Sequence, residues 1–197
     1  MNPRGQPAVS AARQPVSNPS ESLILVDDDD REIGFCSKAE CHEGNGRLHR
    51  AFSVFLFNEA GELLIQQRSE HKPLWPMYWA NSCCSHPRES ESVVDAGRRR
   101  VQEELHVECN LHFLYKFKYQ AHFENLGAEH ELCHVFTGVI EGVVSAHPEE
   151  IAATRFIGPD ELTAEIAADP GRFTPWLKLE WERISADFLE SILARIP

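Results

Sequence analysis

The chain has 197 residues and a formal net charge of −12 at neutral pH, so it is long enough for one sizeable core but short for two full domains. Its acidic field repels polyanions and argues against a nucleic-acid partner, and no apolar run is long enough to cross a bilayer. Six cysteines in a chain of this size, with no secretory apolar segment at its start, are expected to be reduced thiols in the cytoplasm.

The first segments in chain order predict a tail and then a strand. Residues 1–20 are proline-rich and poor in large apolar side chains, which favours a disordered tail ahead of a single domain over residues 21–197. Residues 23–26 (LILV) predict a short strand, and the acidic run DDDDRE that follows, with Gly34 after it, predicts a solvated turn. Successive aspartate side chains point in different directions, so this run is a poor metal cluster.

The next segments predict a β-hairpin and a functional loop. Two apolar-rich runs, residues 50–57 and 62–67, flank the turn sequence NEAG, which is typical of a hairpin with a glycine-containing loop. Residues 71–87 (HKPLWPMYWANSCCSHP) contain too many prolines and aromatic residues for regular structure. This stretch is therefore expected to be a long irregular loop.

The second half predicts helices alternating with strands. Ser92 is placed to cap a helix that runs through Leu105, and strand-like runs follow at residues 111–123 and 131–144. Proline at a first-turn position predicts a helix from residue 159, and the pair Thr174-Pro175 predicts a final helix through Ile196. The pattern favours an α/β (α+β) sandwich, a mixed sheet flanked by helices.

Two glutamates of the second strand-like run are candidate metal ligands. In a strand Glu129 and Glu131 would point to one face, with His130 pointing away. Taken alone, such acids are more often solvated. Three histidines could complete a site with them, namely His42, His49 and His86. Imidazole and carboxylate donors together suit Mn²⁺, Fe²⁺, Zn²⁺ or Mg²⁺.

A zinc knuckle is an alternative use of the same region. It would draw its ligands from a set rich in thiols: Cys36, Cys41, His42, Cys83, Cys84 and His86. The adjacent cysteines and the four-residue gap do not give the paired CxxC spacing of strong zinc motifs. A zinc-stabilised binding module is therefore the less favoured hypothesis.

Residues 85–107 resemble a Nudix box, a loop and helix whose glutamates hold divalent metal against a diphosphate. Glu91, Arg99, Glu103 and Glu104 occupy their places in the box. Three positions differ from it: Ser85 and His106 replace glycines, and Arg100 replaces the first glutamate of the helix. A plain amphipathic helix with Arg99 and Glu103 paired at i,i+4 would give a similar pattern. A glycine at position 106 would also tolerate positive φ better than histidine does.

Further motifs in the same order make the resemblance more specific. They are RLHRAF (47–52), LWPMYW, NSCCSHP, AEHELC (128–133) and TPWL (174–177), together with His42. The chain thus resembles the type 1 isopentenyl-diphosphate isomerases, a Nudix-fold family, from about residue 23 to residue 194. Such an enzyme moves the double bond of isopentenyl diphosphate reversibly through a tertiary carbocation, within isoprenoid biosynthesis.

The resemblance also implies a role for individual residues. It implies one set of metal ligands, for Mn²⁺, Mg²⁺ or Zn²⁺, at His42, His49, His86, Glu129 and Glu131. It implies a catalytic thiol at Cys84, opposed by Glu131 with Tyr119, and a pocket indole at Trp176. It implies a substrate-borne Mg²⁺ on Glu104 and diphosphate contacts at Lys38, Arg68, Lys72 and Arg100. The partner is then a small diphosphate, with no nucleic acid or membrane, and the protein is expected to be a monomer or homodimer.

The main enzymatic alternative is a Nudix hydrolase that uses the box to direct water at a diphosphate. Arg100 argues against it, because replacing a carboxylate at the centre of the box should weaken metal binding there. A hydrolase also has no use for Cys84 and the histidine and glutamate set.

Overall fold

The computed structural model describes residues 18–140 and 142–197, so residues 1–17 of the predicted tail lie outside the described part. Within it the strands are β1 (Ser22–Val26), β2 (Glu32–Ser37), β3 (His49–Phe57), β4 (Leu63–Arg68), β5 (Trp79–Ala80), β6 (Cys83–Ser85), β7 (His112–Phe123), β8 (Gly127–Val139) and β9 (Ile151–Ile157). The helices are α1 (Lys38–His42), α2 (Val93–Leu105), α3 (Pro159–Ala168), α4 (Pro175–Asp187) and α5 (Leu189–Leu193), with a 3-10 turn at Pro170–Arg172. No helix of the described residues is long and apolar enough to cross a membrane.

Strand β3 is the centre of one mixed sheet. It pairs in parallel with β8 along its whole length, from His49 with Glu131 to Phe57 with Val139. Its other edge pairs antiparallel with β1, β6 and β4. Beyond β8, strand β7 continues the sheet as an antiparallel neighbour. The predicted mixed sheet flanked by helices is confirmed.

The alternation of apolar side chains along β3 builds a core on each face of the sheet. On one face Phe52, Val54 and Leu56 pack against helix α2. On the opposite face Phe55 and Phe57 pack against helices α3 to α5. A strand that is apolar on both faces is the pattern expected of a buried central strand, and it makes the domain a sandwich.

Helix α2 begins as predicted and ends in an unusual way. The Ser92 side chain accepts a hydrogen bond from the Asp95 N–H, which caps the helix. The helix ends at Leu105, and the C-cap residue His106 has a left-handed backbone at φ 55° and ψ 33°. The ring Nδ1 of His106 lies 2.6 Å from the Ser145 carbonyl oxygen. The histidine thus takes the conformation that glycine usually supplies at this position.

Several sequence-based boundaries were wrong. The predicted final helix through Ile196 is divided in two: α4 ends at Asp187 and α5 begins at Leu189. Between them, the Phe188 ring stacks on Tyr115 with a centroid distance of 5.3 Å. Thr174 precedes α4, but its side chain makes no capping hydrogen bond. Strand β8 begins four residues earlier than the predicted 131 and ends at Val139 rather than 144.

Long-range pairing accounts for other differences. The two predicted hairpin strands exist as β3 and β4, but they pair directly only at Phe57 and Leu63. Strand β4 pairs mainly with β9, which was not predicted. The loop over residues 71–87 contains β5 and β6, and β6 fills part of the β3 edge. An unpaired strand edge is costly when buried, so distant segments adopt strand structure there.

Candidate metal centre and active-site cavity

Five side chains from four parts of the chain converge at one end of β3 and β8. His42 ends α1, His49 begins β3, His86 follows β6, and Glu129 and Glu131 lie on β8. One nitrogen or oxygen of each lies within 4.8 Å of the others. A central ion with bonds of about 2.1 Å would place opposite ligand atoms about 4.2 Å apart. The donor set therefore fits a divalent cation after a small contraction.

The sheet register explains why the two glutamates meet the histidines. His49 and Glu131 are directly paired neighbours in the parallel β3–β8 ladder. Glu129 lies on the same face of β8 two residues earlier, and both carboxylates are largely buried. His42 reaches the cluster because α1 approaches the start of β8 closely at Gly127, where an added Cβ would lie 2.4 Å from the His42 carbonyl oxygen.

Backbone carbonyls orient two of the histidine rings. His42 Nδ1 lies 2.6 Å from the Lys38 carbonyl oxygen, and His49 Nδ1 lies 2.7 Å from the Arg47 carbonyl oxygen. Each carbonyl accepts a hydrogen bond from Nδ1–H, which leaves the Nε2 lone pair directed into the cluster. His49 Nε2 lies 3.2 Å from His86 Nε2, and His42 Nε2 lies 2.7 Å from Glu129 Oε2. In metal-binding histidines, one ring nitrogen typically donates to a carbonyl or carboxylate in this way while the other binds the metal.

The electrostatics of the cluster also suit a cation. Burial and the charge on His42 lower the pKa of His49 to about 4. Burial disfavours the ionised form of Glu129, but the neighbouring His42 outweighs it and lowers that pKa to about 2. Burial and the charge of Glu129 raise the pKa of Glu131 well above its usual range. Two carboxylates this close compete for positive charge, which a divalent ion supplies to both.

Of the three groups predicted to be catalytic, Glu131 belongs to this cluster and Tyr119 and Cys84 lie beside it. The Tyr119 hydroxyl donates a hydrogen bond to Glu131 Oε2 at 2.7 Å, and the two residues are paired across β7 and β8. Cys84 lies on β6 and lines the same cavity as both of them. Burial, partly opposed by Arg68, raises the pKa of the Cys84 thiol to about 12. A raised pKa favours the protonated thiol, which is the form that can donate a proton.

The cavity has a volume of about 580 Å³ and an aromatic wall. Trp176 is 3% exposed and lies at the cavity surface, where Trp75 packs edge-on against it at 5.3 Å. Its indole Nε1–H donates to Asn81 Oδ1 at 3.1 Å. Asn81 was missed by the sequence reasoning, although it stands in the quoted NSCCSHP motif. A buried amide that satisfies the indole N–H fixes the ring plane.

The predicted diphosphate contacts fall into two groups. Lys38, Arg68 and Lys72 line the cavity. Arg100 is buried on α2, where its guanidinium lies 2.5 Å from Glu104 Oε1 and 3.1 Å from Glu103 Oε2. Neither Arg100 nor Glu104 is among the residues that line the cavity. A residue not predicted, Glu150, lies at the wall between the two groups and forms an ion pair with Lys72.

The thiol-rich alternative finds no support in the geometry. Cys36 and Cys41 lie in a small cluster with Leu23, and Cys83 is buried in the core beneath α2. Among residues 18–140 and 142–197, the histidine and glutamate set is the one group of three or more such side chains that could hold a metal.

Comparisons with known proteins indicate the family of the chain. The NUDIX domain family matches residues 47–177. The chain is 42% identical to isopentenyl-diphosphate Delta-isomerase 1 of Photorhabdus laumondii, over 87% of this chain and 96% of that protein. It is 45% identical to isopentenyl-diphosphate Delta-isomerase of Burkholderia multivorans, over 83% of this chain and 92% of that protein. The crystal structure of DR0079 from Deinococcus radiodurans superimposes with a TM-score of 0.62 at 26% identity, covering 75% of this chain and 90% of that one.

Proposed function

Because this chain belongs to the isopentenyl-diphosphate Delta-isomerases of the NUDIX family, we propose that it is an isomerase that interconverts isopentenyl diphosphate and dimethylallyl diphosphate. The observation that carries the proposal is one cavity lined by a thiol, a carboxyl with a tyrosine partner, and an indole. These groups match an acid–base isomerisation of an alkene.

The reaction needs two proton transfers at different carbons. A proton adds to the terminal CH₂ carbon of isopentenyl diphosphate and makes it a methyl group, which leaves a tertiary carbocation at the adjacent carbon. A proton then leaves the neighbouring CH₂ group on the diphosphate side, and its electron pair forms the new double bond. One proton is gained and one is lost, so the substrate and product are isomers.

Cys84 and Glu131 are the proposed acid–base pair. Cys84 acts on one face of the bound alkene and Glu131, with Tyr119, on the other. The Tyr119 hydroxyl fixes the orientation of the Glu131 carboxyl through its 2.7 Å hydrogen bond. A divalent ion, Mn²⁺, Mg²⁺ or Zn²⁺, held by His42, His49, His86, Glu129 and Glu131 would supply positive charge that keeps Glu131 ionised and in place.

The aromatic wall protects the cation. Water would capture a tertiary carbocation, so the reacting carbons must lie where solvent is excluded. Trp176 lines the cavity, and the nearly fully buried Trp75 packs edge-on against its ring. A desolvated indole face stabilises a cation by roughly 2 kcal/mol, which helps but is far below a whole rate enhancement. The positions of Cys84 and Glu131 must contribute the remainder.

The cationic side chains that line the cavity are proposed to bind the diphosphate. Lys38, Arg68 and Lys72 line the cavity. Glu104 lies behind the wall and is paired with Arg100, so it would hold a Mg²⁺ that accompanies the substrate only after Arg100 moves off its carboxylate. Local cations of this kind allow an acidic protein to bind an anion, because short-range contacts outweigh a screened overall field. Each protomer carries the whole cavity, so a monomer or a homodimer would be active. A reduced Cys84 suits the cytoplasm.

The hydrolase alternative is weakened by the state of the box glutamates. Arg100 contacts both Glu103 and Glu104. In a hydrolase these carboxylates would have to bind metal and direct a water molecule. A hydrolase would require both carboxylates to leave Arg100, whereas the isomerase proposal requires this of Glu104 alone.

The test is nuclear magnetic resonance of ¹³C-labelled isopentenyl diphosphate incubated with the protein, Mg²⁺ and each of Mn²⁺ and Zn²⁺. We expect the dimethylallyl isomer to appear, with deuterium incorporated in D₂O, and no phosphate to be released. Release of phosphate without the isomer would favour the hydrolase, and absence of the isomer under every metal condition would refute the proposal.

A further inference from the structure

Glu150 is an acidic residue in the wall of the cavity, beside a lysine that is proposed to bind the diphosphate. It follows the buried His147 turn, and its side chain is 1% exposed even though it forms part of the cavity wall. Its carboxylate forms an ion pair with Lys72, and the same oxygen lies 3.7 Å from the Arg100 guanidinium. An ionised carboxylate at this depth requires cations around it. Glu150 is therefore paired with cations, Lys72 above all, that the diphosphate of the proposed substrate would also contact.

The surrounding charges are arranged around this carboxylate. Burial and the positive charges of Lys72 and Arg100 lower the pKa of Lys38 to about 8, so the three cations lie close enough to repel one another. Burial opposes ionisation of Glu150, but Lys72 and Arg100 outweigh it and lower its pKa to about 2. Glu150 thus offsets the mutual repulsion of the cationic cluster.

We propose that Glu150 is a positioning residue that acts as the counter-ion of the diphosphate pocket. Its carboxylate pairs with Lys72 and lies close to Arg100 in the free enzyme, and the substrate's diphosphate replaces it as the anion that contacts Lys72. This inference rests on the proposed function, since it concerns the same pocket. Binding is then an exchange of one anion for another on Lys72. Product release is the reverse exchange, in which Glu150 recovers Lys72 and helps the diphosphate to leave.

A resident anion affects substrate and product alike, because both carry the same diphosphate. Removing its charge should strengthen the binding of both, which lowers KM without selectively stabilising the transition state. Where release of product limits turnover, kcat falls as well. The signature of the counter-ion is therefore a lower KM. Where chemistry limits turnover, kcat stays unchanged and kcat/KM rises; where product release limits turnover, kcat falls in parallel with KM.

The direct test is calorimetric titration of the metal-loaded protein with inorganic pyrophosphate and Mg²⁺. For Glu150→Gln we expect pyrophosphate to bind about tenfold more tightly than to the wild type, because a charge-assisted contact on Lys72 becomes available. Steady-state kinetics with isopentenyl diphosphate should show a lower KM without a higher kcat. Unchanged or weaker pyrophosphate binding by a folded Glu150→Gln protein would overturn the inference.

Glu149→Gln is the matched control. Glu149 also lines the cavity and carries the same charge, but the ion pair with Lys72 belongs to Glu150. If the effect comes from that contact, Glu149→Gln should change pyrophosphate affinity less than about twofold. An equal change in both variants would mean that only the general field of the cavity matters, and would also overturn the inference.

Two further measurements keep the test decisive. If Glu150→Gln does not fold, Glu150→Asp withdraws the carboxylate from Lys72 by one methylene, and pyrophosphate should bind about threefold more tightly; no gain there would count against the counter-ion. Pyrophosphate binding does not depend on isomerisation. Anion exchange at Glu150 without isomerase activity would refute the proposed function alone, and isomerase activity without it would refute only the counter-ion.

Discussion

At the scale of single residues, the surroundings decide which protonation state each reactive group holds. Cys84 lies partly buried beside aromatic side chains, and desolvation raises the pKa of its thiol to about 12. Glu131 lies beside Glu129, and burial together with that neighbour raises its pKa well above the usual range. Cationic charge in the cluster is what would ionise Glu131 while leaving the thiol neutral. The two groups can then serve as opposite members of an acid–base pair.

The thiol can be tested by removing it. We expect Cys84→Ala to lower kcat for isomerisation by at least about a hundredfold, the usual contribution of a positioned acid or base, while metal content and melting temperature stay near the wild type. Cys109→Ala is the control, since Cys109 packs at the edge of the core away from the cavity. Near-normal turnover in metal-loaded Cys84→Ala would show that the thiol has no role in catalysis.

At the scale of secondary-structure elements, the site depends on how closely neighbours approach. Helix α1 carries His42 and β8 carries both glutamates, and they touch at Gly127, where an added Cβ would lie 2.4 Å from the His42 carbonyl oxygen. The obstruction is backbone, so a side chain there cannot rotate away from it. The absence of a side chain at Gly127 therefore keeps the first histidine within reach of Glu129.

Gly127→Ala should separate α1 from β8. We expect the free energy of unfolding to fall by about 1 to 3 kcal/mol, as in other overpacked sites, and the affinity for the cluster metal to fall as well, measured by competition with a chelator. Gly158→Ala is the matched control, because an added Cβ at Gly158 meets nothing within 4 Å. Unchanged metal affinity in Gly127→Ala would mean that α1 does not set the position of His42.

The end of α2 offers a second test at this scale. Two variants of His106 both lose the ring contact with Ser145, but only glycine relieves the left-handed backbone at φ 55°. We therefore expect His106→Gly to be more stable than His106→Ala by about 1 kcal/mol in urea unfolding. Equal stabilities would show that the left-handed conformation carries no cost here.

At the scale of the whole molecule, the metal centre lies at one end of a fold that has its own apolar cores. Helix α2 covers one face of the sheet and helices α3 to α5 cover the other. The ligands tie α1, β3, β8 and the segment after β6 together at that end only. The fold should therefore be stabilised by metal without depending on it.

Removal of metal tests this organisation. After dialysis against a chelator we expect an unchanged far-ultraviolet circular dichroism spectrum and a melting temperature lower by roughly 5 to 10 °C. A metal present at about 100 times its Kd stabilises the folded state by about 2.7 kcal/mol. In a chain of this length, each kcal/mol of stability corresponds to about 2 to 4 °C in melting temperature. Full unfolding on chelation would instead indicate a zinc-dependent module. Restoration of the melting temperature by added Mn²⁺, Mg²⁺ or Zn²⁺ is the control.

The sequence by itself determined the features whose signal lies within one turn or one strand. The Ser92 cap, the start of α3 at Pro159, and the shared face of Glu129 and Glu131 all follow from local spacing. The ordered motifs indicated the family and, through it, which histidines and which cysteine to consider. Local periodicity and the order of motifs can be recognised in the sequence because they do not depend on which distant segments meet in the folded protein.

Only the tertiary structure decided which distant segments meet. Strand β9 pairs with β4, β6 fills the edge of β3, and Glu150 reaches Lys72 from far along the chain. It also decided that Arg100 contacts the box glutamates, and that desolvation raises the pKa of the Cys84 thiol. Strand pairing and desolvation depend on what the rest of the molecule places around a residue. Neither is encoded in the spacing of neighbouring residues.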